Sequence, residues 1–215
     1  MDLISSEQAR RAIYFDFEGS IGRPPTLIGY AWADAGVVHF EQRIVEAHLL
    51  RARRASVAGT GILHRPRRGE LCQVIEDLVG LAEHEDRLLV SWTRFDLEKI
   101  REAEMPEDVL AYVEQQHVDA CAIAKAWRRL EEGRAFKRGE NTLENYCRLV
   151  RFAIPSEFGP GVTGRAIRDV RRLCAEHRSW REMPCGVRER WVRMLGHNYC
   201  DVTGMRAVTL AACRA

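Results

Sequence analysis

The chain has 215 residues, of which 46% are hydrophobic and 30% are charged, and its formal net charge is +2. This balance is typical of a globular protein and excludes a chain that binds nucleic acid through overall positive charge. No stretch approaches the length of a membrane span, and the segment "MDLISSEQARR" lacks the pattern of a secretion signal. We therefore expect one domain over residues 1–215 and a cytoplasmic location.

The first third of the chain predicts three strands. Residues 10–18 alternate, so that Ile13, Phe15 and Phe17 face one way and Tyr14, Asp16 and Glu18 face the other. Gly and Pro residues interrupt the chain before a second strand at 26–34. A short Ala-Gly connection leads to a third strand within "AGVVHFEQRIV" (35–45), and the three strands form an antiparallel meander.

The rest of the chain predicts one further strand and many helices. Helices are expected at 46–55 and 70–84, and the apolar run 87–92 predicts a buried strand. Loops are expected at 132–141 and at 155–164, the latter exposed and mobile because it is rich in Gly and Pro. Further helices are expected near 95–104, 107–116, 119–131, 142–150, 164–177 and 186–213. This order indicates an α/β domain with a mixed sheet and a helix-rich C-terminal half.

Asp16 and Glu18 form the first candidate site. Side chains two apart on a strand point to the same face, and no Lys or Arg lies between these two acids. Two uncompensated carboxylates repel each other and are costly to bury, and a divalent cation such as Mg²⁺ or Mn²⁺ removes both costs. The alternative is a strand end at which both acids face water.

Two later segments carry further acids. Asp96 follows the buried strand near the start of a helix, where it could instead cap that helix. His197 and Asp201 are four residues apart on a helix and share a face, where they could simply stabilise their own helix. Cys174-x-x-His177 and His197-x-x-Cys200 offer a weaker alternative, a zinc site, although the seven scattered cysteines favour reduced thiols.

Taken together, these acidic segments resemble the motifs of the DEDD exonucleases of the ribonuclease-H-like superfamily. The matching features are "DFE" on the first strand, "FD" after a later buried strand, and an H/Y-x-x-x-D pair on the last helix. The intermediate segments "HVDACAIAKAW" and "NTLENYCRLVRF" are also similar to that family. The ending "HNYCDV" is similar to the Y-N-x-x-D-V motif, with His197 in the place of Tyr. The chain thus combines the residue of the histidine subgroup with the spacing of the tyrosine subgroup.

The resemblance implies a ribonuclease-H-like fold and two bound ions of Mg²⁺ or Mn²⁺. Asp16, Glu18, Asp96 and Asp201 would bind these ions, and His197 would be the general base. The implied activity is 3′→5′ exonuclease cleavage of single-stranded DNA or RNA with a free 3′ end, by two-metal hydrolysis. Two alternatives stay open: an endonuclease on the same fold, and an inactive module that binds nucleic acid within a larger complex.

Aromatic and basic residues complete the set of candidate nucleic-acid contacts. Trp92 and Phe95 flank the acids in sequence and could stack on a base, or could pack in the core. Arginine clusters at 51–54, 65–68 and 168–172 could contact phosphates, or could form an ordinary solvated surface. From these clusters, Arg67 and Arg68 are predicted to bind the nucleic-acid backbone.

Overall fold

The computed structural model describes residues 4–19, 22–54, 66–134, 136–137, 139–159, 163–176 and 179–214. Its centre is a six-stranded mixed sheet with the strand order β4-β3-β2-β1-β5-β6. β1, β2 and β3 are antiparallel, whereas β5 is parallel to β1, β6 to β5, and β4 to β3. The strands are β1 Ile13–Gly19, β2 Pro25–Asp34, β3 Val37–Ile44, β4 Arg67–Arg68, β5 Leu89–Ser91 and β6 His117–Asp119. The predicted meander and mixed sheet are confirmed.

Helices flank this sheet. The α-helices are α1 Ser6–Arg11, α2 Leu71–Glu85, α3 Arg94–Arg101, α4 Glu107–Gln116, α5 Ala120–Glu132, α6 Leu143–Leu149, α7 Thr163–Glu176 and α8 Cys185–Ala212. Three 3-10 helices span Ala47–Arg54, Ser156–Phe158 and Trp180–Glu182. Within the described ranges, no helix combines the length and the apolar character needed to cross a membrane.

Some of these elements differ from the prediction, and the short strands β4 and β6 were not predicted. The strand expected at 10–18 is wrong at its beginning, because a short helix ends at Arg11 and β1 begins at Ile13. Ser5 and Gln8 cap that helix reciprocally, and this capping box fixes the helical start. The segment expected as a helix at 46–55 forms a 3-10 helix, Ala47–Arg54.

The alternation predicted for β1 is confirmed by the packing on the two faces of the sheet. Ile13, Phe15 and Phe17 pack in a cluster with residues of α2, α3 and α4. Tyr14 packs in a separate cluster with residues of α5, α6 and α8. Asp16 lies on the same face as Tyr14 and contacts α8 directly. The acids of β1 are therefore covered by the last helix.

α8 approaches its neighbours closely because two of its residues are glycines. A Cβ atom at Gly196 would lie 2.4 Å from the Phe158 ring, and one at Gly204 would lie 2.7 Å from Cys147 Sγ. Both distances are shorter than real Cβ contacts, so only glycine fits at either position. The segment between these two glycines carries His197 and Asp201 and is thus held against β1.

Candidate active site

The five predicted catalytic residues meet at one end of the sheet. Asp16 and Glu18 come from β1, Asp96 from the first turn of α3 directly after β5, and His197 and Asp201 from α8. β1 and β5 are parallel neighbours, so their carboxyl ends lie side by side. Crevices at this edge of an α/β sheet are the usual place for a ligand site.

Asp96 is held in place from two directions. Thr93 caps α3 by accepting a hydrogen bond from Phe95 N, which places Asp96 in the first helical turn. The backbone N–H of Phe17 donates to Asp96 Oδ1 at 3.2 Å. Asp96 therefore faces β1, and its role extends beyond capping its own helix.

The orientation of His197 follows from a single hydrogen bond. His197 Nδ1 lies 2.8 Å from the carbonyl oxygen of Phe158. A carbonyl oxygen can only accept, so Nδ1 carries the proton and the neutral ring presents the lone pair of Nε2 on its other side. Nε2 lies 3.4 Å from Asp201 Oδ2 and 3.9 Å from Glu18 Oε1.

The prediction of an exposed loop at residues 155–164 is wrong at Phe158. The segment was expected to be an exposed, mobile loop, yet Phe158 is 3% exposed and packs against Gly196. Residues 160–162 of this segment lie outside the described residues. The Phe158 carbonyl sets the tautomer of His197, a role that nothing in the local sequence indicates.

Glu18, His197 and Asp201 could hold a metal ion. One ligand atom from each lies within 4.8 Å of the others. Glu18 Oε1 is buried and has no hydrogen-bond partner within the described part of the chain. A buried oxygen of this kind, beside an imidazole lone pair and a second carboxylate, fits a divalent cation.

The four acids raise one another's pKa. Burial is the largest cause at every position, and it raises the pKa of Asp16, Glu18 and Asp96 well above their ordinary values. Burial and the nearby charge of Asp96 raise the pKa of Asp201 to about 7. In each case a neighbouring acid adds to the effect of burial, so ionisation of all four acids is costly unless a cation neutralises their charge.

Burial also lowers the pKa of His197, against the opposing effect of its hydrogen bond to Phe158. The imidazole is therefore neutral near pH 7 and can accept a proton at Nε2. A basic nitrogen beside four acids suits proton transfer from a nucleophile, as well as metal binding.

A cavity of about 770 Å³ is lined by Glu18 and by several basic side chains. Its lining includes Arg23, Lys99, Arg168 and Arg171 together with Phe95, whose side chain is 50% exposed. Lys99 Nζ lies 5.3 Å from the centre of the Phe95 ring. Basic groups beside an accessible aromatic ring fit a phosphate and a base of one nucleotide.

A smaller cavity of about 410 Å³ adjoins Asp201. His197 and Asp201 line it, together with Trp92, Asn141 and Phe158. The two aromatic residues predicted to contact nucleic acid, Phe95 and Trp92, therefore lie in different cavities.

Arg67 and Arg68 lie away from these cavities. They form the edge strand β4, three strands from β1, a distance of about 14 Å. Arg67 is paired with Glu41 at 2.9 Å and Arg68 with Glu70 at 3.3 Å. Both guanidinium groups are exposed, and their binding to nucleic acid stays a prediction.

The other two arginine clusters have different surroundings. In the cluster 168–172, Arg168 lines the larger cavity, whereas Arg171 is bonded to Glu46 and Thr26. In the cluster 51–54, Ala52 packs in the core. Arg65 lies outside the described residues.

One of the ligands predicted for the alternative zinc site, His197, is part of the acidic site. His197 faces Glu18 and Asp201, and its other ring nitrogen is bonded to Phe158. Cys200 is buried in the hydrophobic core. His177 lies outside the described residues.

Sequence reasoning missed Asn198, which contributes to the site directly. Its side-chain amide donates to Asp16 Oδ2 at 2.8 Å, and its side chain is fully buried. The available signal was the Asn of the Y-N-x-x-D-V motif, which Asn198 matches one residue after His197.

Comparison of the chain with protein-family models, with curated proteins and with solved structures gives no match.

Proposed function

We propose that this protein is a ribonuclease-H-like nuclease, dependent on Mg²⁺ or Mn²⁺, that removes nucleotides from the 3′ end of single-stranded DNA or RNA. The sheet supports the fold assignment, since an antiparallel meander is continued by parallel strands at β1. The sequence motifs "DFE", "FD" and H-x-x-x-D support the activity, because they come from distant segments and meet at one site.

The observation that carries the proposal is the convergence of four acids whose pKa values are all raised. Asp16, Glu18, Asp96 and Asp201 are brought together by three different elements, and Glu18 Oε1 has no hydrogen-bond partner among the described residues. Such a group of buried acids destabilises the metal-free fold, and groups of this kind are concentrated at functional sites. These residues would hold the metal ions, which supply an activated water and stabilise the leaving oxygen in phosphodiester hydrolysis.

The remaining residues of the site have roles that follow from their positions. His197 accepts a proton from the attacking water at Nε2, because its Nδ1 is committed to the Phe158 carbonyl. The cavity with Arg168 and Phe95 holds the terminal nucleotide beside Glu18 through phosphate contact and stacking.

The test is an incubation of 5′-labelled single-stranded DNA and RNA with Mg²⁺, Mn²⁺ or EDTA, on oligonucleotides with a free or a blocked 3′ end. We expect a ladder of shortening labelled products that requires metal and a free 3′ hydroxyl. Asp96→Asn should be inactive, because it removes one of the four carboxylates. Asp108→Asn, which alters an exposed acid on α4, is the matched control and should retain activity.

Each other outcome contradicts a part of the proposal. Cleavage of the blocked oligonucleotide would identify an endonuclease. Binding without metal-dependent cleavage would identify an inactive binding module, and cleavage in EDTA would exclude the metal mechanism. Release of the labelled 5′ nucleotide first would reverse the direction.

A further inference from the structure

A row of residues crosses three neighbouring strands beneath α8. Asp16 of β1 lies opposite Gly29 of β2, and Gly29 lies opposite Gln42 of β3. Asn198 of α8 lies over the middle of this row, and its side chain contacts the residues at both ends. Asn198 thus connects two strands that do not pair with each other.

The glycine in the middle of the row makes this contact possible. A Cβ atom at Gly29 would lie only 2.0 Å from Asn198 Oδ1. Asn198 and Gln42 are both fully buried, so neither amide can move out to solvent. Any side chain at position 29 would occupy the space that the Asn198 amide fills.

The direction of each hydrogen bond is set by one carbonyl group. The Leu195 carbonyl can only accept, and it lies 2.9 Å from Gln42 Nε2. The same nitrogen donates to Asn198 Oδ1 at 2.8 Å. Asn198 must therefore present Nδ2 on its other side, where it donates to Asp16 Oδ2 at 2.8 Å and to the Asp16 carbonyl at 3.2 Å. Reversing Gln42 would place its oxygen against the Leu195 oxygen.

We propose that Asn198 is a positioning residue that holds the Asp16 carboxylate ready for a divalent cation, with Gln42 fixing the orientation of the Asn198 amide. This inference rests on the proposed metal-dependent function. Asp201 repels Asp16, and an unrestrained Asp16 side chain would turn away from that charge. The Asn198 donor opposes this rotation because it binds one oxygen of Asp16 at a fixed place. Groups that orient ligands in this way commonly contribute 10- to 100-fold, roughly, to metal affinity.

The test measures Mn²⁺ affinity of the folded protein by titration, followed by electron paramagnetic resonance of the free ion. Asn198→Leu keeps the volume but removes the donor, and we expect its Mn²⁺ Kd to rise by about 10- to 100-fold. Gln42→Leu leaves the Asn198–Asp16 bond but frees the amide to rotate, and should raise the Kd by about 2- to 12-fold. Thr203→Val, on the same helix, removes a hydroxyl that donates a hydrogen bond to Tyr199 O, and this variant should bind Mn²⁺ like the wild type.

The outcomes separate this inference from the proposed function. Wild type that does not bind Mn²⁺ overturns both. Wild type that binds, with unchanged Kd in both leucine variants, overturns the positioning role alone. If Asn198→Leu does not fold, as judged by its circular dichroism, Gln42→Leu decides by itself. A purely structural role would lower the melting temperature of the variants without changing their Kd.

Discussion

Asp201→Asn should stabilise the metal-free protein at pH 8. Burial and nearby acids raise the pKa of Asp201 from 3.8 to about 7, and its side chain is 24% exposed. At about 1.4 kcal/mol per pKa unit, this shift means that ionisation of Asp201 in the folded protein lowers its stability by about 4 kcal/mol. The substitution Asp201→Asn recovers only part of this energy, because the buried amide that it introduces costs about 1–3 kcal/mol where its hydrogen bonds are incomplete. We expect a net gain of about 1–3 kcal/mol.

The effect has a defined pH dependence. A raised acid pKa contributes stability that is complete below the unfolded value of 3.8 and is lost as the pH rises through about 7. The metal-free wild type should therefore lose stability between pH 5 and pH 7, and Asp201→Asn should lose less. The lowered pKa of His197 acts in the opposite direction, since an imidazole that is buried in its neutral form loses stability as the pH falls.

The assay is urea unfolding in EDTA at pH 5, 6, 7 and 8, with Asp108→Asn as the control for removal of an exposed charge. The control should keep the wild-type pH dependence. Saturating Mn²⁺ should reverse the order at pH 8, because the ion binds the ionised site of the wild type and stabilises it. Equal stability of wild type and Asp201→Asn at pH 8 in EDTA would refute the conclusion that Asp201 is ionised at a cost.

Three further changes test other parts of the site. His197→Ala should lower the cleavage rate, measured from pH 6 to 9, by about 10²- to 10⁴-fold and should change the Mn²⁺ Kd little. A loss of Mn²⁺ affinity would identify the imidazole as a metal ligand instead of a base. Arg168→Ala should weaken binding of single-stranded oligonucleotide and reduce the slope of log affinity against log salt, whereas Arg10→Ala, on α1, should leave that slope unchanged. Gly196→Ala should lower the free energy of unfolding by about 1–3 kcal/mol, because its Cβ meets the buried Phe158 ring; an unchanged urea midpoint would contradict this packing.

The sequence was sufficient to predict the elements with a strong period. The alternation along β1 separates Ile13, Phe15 and Phe17, which pack on one face, from Tyr14 on the other, and a shift by one residue would exchange the two faces. The same alternation places Asp16 and Glu18 together. The predicted acids could be grouped because each lies beside a recognisable apolar strand or helix.

Two short strands could not be predicted from local pattern. β6 begins at His117 directly after α4 ends, with no glycine or proline between them. Its three residues become a strand because they pair with Leu89–Ser91, a partner that periodicity does not reveal. β4 likewise has two residues and depends on pairing with Arg43 and Ile44.

The contacts of Asn198 and Phe158 could not be predicted from the sequence, although Asn198 matches the Asn of the Y-N-x-x-D-V motif. Asn198 contacts Gly29 and Gln42, which are distant in the chain and become neighbours only through the meander. Phe158 acts through its backbone carbonyl, a group that every residue possesses. Both contributions depend on tertiary geometry.

The placement of His197, Asn198 and Asp201 on α8 has a consequence for synthesis. Asp16 and Glu18 leave the ribosome early, but their partners follow only after nearly the whole described chain has been made. Until then the gap above Gly29 is unfilled, and neither Asp16 nor the proton acceptor of the site has its final environment. Until residue 201 has been made, a nascent chain therefore has no complete form of this site.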